Sequence, residues 1–126
     1  MEEKDREIWV GKSSLYIRED NILFITIIGD TDKEKAVALW NAAETLFDFV
    51  KGKVNVLVDL SNAGKQSAEA RKVGKKSFEN EKNEKVALLR VNPVARIIAS
   101  FVMGVTRKED IRLFTTEKDA LDWLKN

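Results

Sequence analysis

Apolar and polar positions along the chain change period several times, and each change marks an element. Residues 14–18 (SLYIR) and 22–28 (ILFITII) are rich in β-branched and aromatic residues and are separated by the turn signal EDN. Together they predict an antiparallel hairpin. The preceding EIWV, residues 7–10, adds a short edge strand. From residue 31 the period lengthens. Ala36, Leu39, Trp40, Ala43, Leu46, Phe47 and Val50 recur at helical spacing, which predicts an amphipathic helix. Thr31 with Glu34 three residues later reads as its capping box, and Gly52 as its stop.

Residues 54–60 (VNVLVDL) are apolar nearly throughout, as suits a strand covered on both faces. A polar loop, residues 61–67, leads into a second helix over 67–80, and residues 85–91 (KVALLRV) form the next strand. Asn92 and Pro93 then open a helix over 93–105, with Asn92 as cap and Pro93 at its first position. Residues 110–114 (DIRLF) are a last short strand. TTEKDALDWLK closes the chain as a helix capped by Thr116. Strands alternating with helices require crossover connections. The expected architecture is α/β, with one domain over residues 1–126. It has a single mixed, mostly parallel β-sheet, an N-terminal antiparallel hairpin and about four flanking helices.

The segment 93–105 is the least ordinary. Between Pro93 and Val105 only Arg96 and Ser100 are polar, four residues apart. A surface helix shows a much wider polar face. One side can rest on the sheet; the other needs a cover. Two readings follow. Ile97, Phe101 and Met103 line an apolar cleft that takes a small molecule such as a lipid, or the same side joins two copies as a homodimer. About thirteen residues cannot span a bilayer.

Composition narrows the chemistry. With 44% apolar and 34% charged residues the balance is that of a globular protein, and the net charge of +1 draws no polyanion. The start, MEEKDREIW, lacks the basic and apolar regions of a signal peptide. No apolar run reaches a membrane-spanning length, so a cytoplasmic location is the default. Cysteine and histidine are both absent, which removes thiol nucleophiles, Ser-His-Asp hydrolysis and nearly all zinc sites. No catalytic residue, cofactor or metal is expected, and the reading is non-enzymatic.

Two motifs invite sharper interpretations. NAGKQS resembles the end of a phosphate-binding loop, but Asp59 occupies the first glycine position and Gln66 follows Lys65; the cradle of backbone amides is therefore not encoded. Arg71, Lys72, Lys75 and Lys76 give the second helix a basic face with no aromatic residues among them. Without stacking partners this face does not read as a nucleic-acid surface; a solvated face is the plain reading, an acidic partner the sharper one.

The order of three pieces resembles a known family: VLVDLSNAGKQSAEARK, then KVALLRV before a capped apolar segment, then RLFTTEKDALDWL. Together with the hairpin and GDTDKE they look like the SpoIIAA-like proteins of the STAS superfamily, over roughly residues 8–124. The resemblance implies a four- or five-stranded mixed sheet flanked by helices, similar to the anti-sigma-factor antagonists and more distantly to CRAL-TRIO lipid-binding domains. It further implies that Asp59, Leu60 and Ser61 correspond to the strand end of the antagonists. Ser67 then lies near the serine that a partner kinase phosphorylates there. The antagonists carry Asp-Ser-Ser-Gly at that helix start, whereas this chain has Gln66-Ser67-Ala68-Glu69. The leading expectation is a STAS-type module that binds an unidentified protein partner through Asp59, Ser61, Ser67 and Arg71, without phosphorylation of Ser67. The alternative is a carrier or sensor of an apolar small molecule.

Overall fold

The computed structural model describes residues 6–90, 92–93 and 110–126. Eight strands and three helices form among them. In chain order they are β1 (Glu7–Val10), β2 (Ser13–Ile17), β3 (Ile22–Thr26), β4 (Gly29–Thr31), α1 (Lys33–Phe47), β5 (Val54–Asp59), β6 (Ala63–Gln66), α2 (Ala68–Phe78), β7 (Asn83–Leu89), β8 (Ile111–Phe114) and α3 (Glu117–Lys125).

Six strands make the main sheet in the order β1-β2-β3-β5-β7-β8. The first three form an antiparallel meander, as the hairpin and its edge strand predict. From β3 onward every ladder is parallel. With three parallel and two antiparallel ladders the sheet is mixed, and parallel pairing predominates less than expected. Nor is it the single sheet expected: β4 and β6 pair in a separate two-stranded parallel sheet. The expected helix over 93–105, which would be the fourth, lies outside the described residues, as do Ile97, Phe101 and Met103.

The central strands are apolar on both faces because both faces are covered. On one side Val54, Val56 and Val58 of β5 and Val86 and Leu88 of β7 meet Leu39, Ala43, Leu46 and Phe47 of α1. On the other, Leu57, Ala87 and Leu89 meet Ala120 and Leu124 of α3. Asn55 is a polar exception within β5. Its side-chain amide donates to the Leu124 carbonyl at 2.8 Å and its oxygen accepts from the Lys85 amide at 3.2 Å, so the terminal helix is tied to the sheet.

The caps follow the sequence with one correction. Ser67 caps α2 by accepting from the Ala70 amide, and Thr116 caps α3 by accepting from Asp119. The cap of α1 is Asp32, which accepts from the Lys35 amide at 2.8 Å, not Thr31. Thr31 is held one residue earlier in β4, where its carbonyl accepts from the Ser67 amide at 3.1 Å. A tertiary ladder thus displaces the local capping box. The same ladder turns part of the expected loop 61–67 into β6.

Candidate functional site

The parallel strands deliver their carboxyl ends to one rim of the sheet, the place where open α/β sheets commonly bind ligands. There β5 ends at Asp59, whose carbonyl accepts from the Ile27 amide at 3.2 Å. The next amide, of Leu60, donates to the Leu89 carbonyl at 2.9 Å. The chain then turns at Ser61 into β6.

The Asp59 carboxylate organises this turn. Oδ1 accepts from the Ser61 amide at 2.9 Å and also from the Ser61 hydroxyl. Oδ2 accepts from Arg90 at 2.9 Å. Partial burial alone would raise the Asp59 pKa. The Ser61 hydroxyl and amide, followed by the hydrogen bond and charge of Arg90, outweigh it and hold the pKa below the ordinary carboxylate value.

Arg90 reaches this position through β7 and an unusual backbone. The ladder sets Asp59 opposite Leu89, so the next residue of β7 emerges beside the carboxylate. Arg90 takes a φ of +52°, a left-handed conformation that non-glycine residues seldom adopt. Its amide donates to the Phe114 carbonyl at 2.9 Å. Two residues on, the Asn92 side-chain amide donates to the carbonyls of Leu60, Ser61 and Ala63 at 3.0–3.1 Å. The turn is therefore gripped from the β7 side by both a charge and an amide.

A second set of contacts fixes the far half of the loop. The Asp30 carboxylate accepts from the Lys65 amide at 2.8 Å. A Cβ at Gly64 would overlap that carboxylate and lie 3.0 Å from backbone atoms of Asp30 and Gly29, so this position needs glycine for close approach. At the start of α2 the Arg71 guanidinium donates to the Gln66 carbonyl at 3.1 Å. Lys65 and Lys72 are exposed, while Ser61, Ser67 and Arg71 are half-buried.

Of the expected interaction residues, Asp59 and Ser61 are in direct contact. Ser67 and Arg71 form a separate group across β6. Arg90, Asn92, Asp30 and Gly64 were not anticipated as site residues. The Ser61 and Arg90 contacts favour the ionised form of the Asp59 carboxylate. Among the described residues no cluster of three or more metal-ligating side chains occurs, and no helix is long and apolar enough to cross a membrane.

Mixed sheet, flanking helices and gripped loop define a SpoIIAA-like fold, and comparison with solved structures shows the same. A DUF3478-family protein with a SpoIIAA-like fold from Shewanella loihica PV-4 superposes with a TM-score of 0.67 at 18% identity, covering 89% of this chain and 91% of that one. The anti-sigma factor antagonist SpoIIAA in its unphosphorylated form gives 0.62 at 13% identity, over 90% and 98% of the two chains. A candidate anti-sigma factor antagonist from Thermotoga maritima gives 0.64 at 14% identity, over 89% and 93%. At such identities the likeness establishes the fold. The chain itself belongs to the family described as a domain of unknown function, DUF7793, whose model matches residues 15–126. Its sequence matches no curated protein.

Proposed function

We propose that residues 1–126 act as one non-enzymatic STAS-type interaction module whose recognition surface is the loop 59–67 together with the first turns of α2. The observation that carries this reading is the Asp59 carboxylate. It accepts from Ser61 twice and from Arg90 once, and so holds an otherwise irregular loop in one shape at the strand ends. A surface ordered before binding loses less entropy on association. Exposed Lys65 and Lys72 outnumber Glu69, the acidic residue in the first turn of α2, so an acidic patch on a protein partner suits the surface best. The fold supports the same class of role: two of the similar structures are described as anti-sigma factor antagonists, a role exercised on another protein. In this chain the Ser67 hydroxyl accepts from the Ala70 amide at 3.0 Å and thereby caps α2. Capping accounts for the serine without phosphorylation.

Affinity capture from the source cells tests the proposal, with wild-type protein compared against Lys65→Glu/Lys72→Glu and against Lys53→Glu. Lys53 is exposed and precedes β5, at the opposite ends of the parallel strands. A partner retained by wild type and Lys53→Glu but lost from the double variant supports the loop surface. A partner held equally by all three refutes it.

A further inference from the structure

A cavity of about 100 Å³ lies between the main sheet and the pair α1 and α2. It exists because the facing helix positions are small: Ala36 and Ala43 on α1, Ala70 and Gly74 on α2. Its floor is Val56, Val58 and Leu88 of the central strands. A Cβ built at Gly74 meets nothing within 4 Å, so the gap reaches the helix backbone. Close packing is the rule in protein interiors, and voids larger than a water molecule are few. Apolar cavities of roughly 150 Å³ stay dry and take up benzene-sized guests.

Two chemical facts specify the guest. Among the described residues no Asp, Glu, Lys or Arg lines the cavity, so a charged group would enter without a counter-charge from them. One polar group in its wall is unsatisfied. Thr31 lines the cavity, is only 4% exposed, and its hydroxyl finds no hydrogen-bond partner among the described residues. Rotation about χ1 exchanges the methyl and hydroxyl of a threonine, which lets the hydroxyl serve a guest on the cavity side. Of the other polar residues in the lining, half-buried Ser77 and buried Asn83 already donate to the carbonyls of Val73 and Ser77, and Gln66 is half-buried at the end of β6.

We infer that the space beneath α1 and α2 is a binding site for a small, neutral, largely apolar molecule of about benzene size that carries one hydrogen-bonding oxygen for Thr31. The site is built from α1, α2 and the main sheet, and the inference does not depend on the loop surface. Titration of the ¹⁵N-labelled full chain with toluene, benzyl alcohol and benzoate, followed by amide NMR shifts, tests it. The expected result is saturable binding of the two neutral probes, with shifts centred on Thr31, Ala43 and Gly74 and at least tenfold weaker binding of benzoate. Gly74→Leu fills the space and is expected to weaken both neutral probes at least tenfold. Should that variant not fold, Gly74→Ala, which favours the helix, is expected to weaken them by a smaller factor. Thr31→Val is expected to lower the affinity for benzyl alcohol severalfold and leave toluene unchanged. Absence of saturable shifts, shifts centred on α3, benzoate binding as tightly as toluene, or unchanged affinity in both Gly74 variants would each overturn the proposal.

Discussion

Asp59→Asn is the substitution that probes the loop most sharply. Asparagine keeps one side-chain oxygen, so an acceptor remains for Ser61. It replaces the Oδ2 that accepts from Arg90 at 2.9 Å with an amide donor, and two donors then face each other. The pair is only partly screened: the Asp59 side chain is 13% exposed and that of Arg90 48%. Hydrogen bonds to charged groups contribute about 1.5–3 kcal/mol, and the exposure of Arg90 pulls the value toward the lower end. The expected loss of stability is about 2 kcal/mol at pH 7, read by urea denaturation. The pH dependence gives an internal check. The folded-state pKa of Asp59 is depressed below its ordinary 3.8. Its contribution is therefore fully present above the ordinary value and is lost as pH falls through the folded one. The gap between wild type and variant should be constant from pH 7 to about 5 and should shrink below about pH 4. A gap under about 0.5 kcal/mol at pH 7, or one as wide at pH 3 as at pH 7, would show that the carboxylate does not organise the loop as argued.

Three further outcomes follow from the same contacts. Ser67→Ala removes the cap of α2 and should cost about 1 kcal/mol in chemical denaturation, while mass spectrometry of the native protein should find Ser67 without stoichiometric phosphate. Gly64→Ala forces the Asp30 carboxylate away from the Lys65 amide; a loss of about 1–3 kcal/mol is expected, with faster hydrogen exchange at Lys65. Thr31→Val replaces a buried hydroxyl that lacks a partner and should raise the thermal midpoint, since the unsatisfied group costs about 1–3 kcal/mol where it is; a lowered midpoint would mean that the hydroxyl is satisfied in solution.

The elements with a long, clean period were legible from sequence because burial alone determines them. The strands read over 54–60 and 85–91 form at Val54–Asp59 and Asn83–Leu89, both covered on two faces, and α1 read as a helix since its apolar stripe meets one face of the sheet. The two-stranded sheet was not legible. GDT and AGKQ have no strand-forming composition, and they pair only because the ends of β3 and β5 bring them together. That pairing also moved the cap of α1 from Thr31 to Asp32. The site divides in the same way. Ser61 lies two residues from Asp59, so their contact is local and visible in the motif. Arg90 and Asn92 lie 31 residues beyond Asp59 and Ser61 respectively, and only the parallel register of β5 and β7 brings them there. A left-handed arginine leaves no trace in the sequence, where Arg90 reads as an ordinary strand residue.

The central claim is that the loop held by Asp59 is the surface through which this protein acts. Calorimetric titration of the captured partner, once purified, into wild type, Lys65→Glu/Lys72→Glu and Lys53→Glu tests it most directly. Both lysines of the double variant are exposed, so its thermal midpoint should match that of wild type. Its affinity should fall at least tenfold, the equivalent of about 1.4 kcal/mol, while Lys53→Glu binds as wild type does. Equal affinity for all three proteins, or a loss confined to Lys53→Glu, would contradict the account.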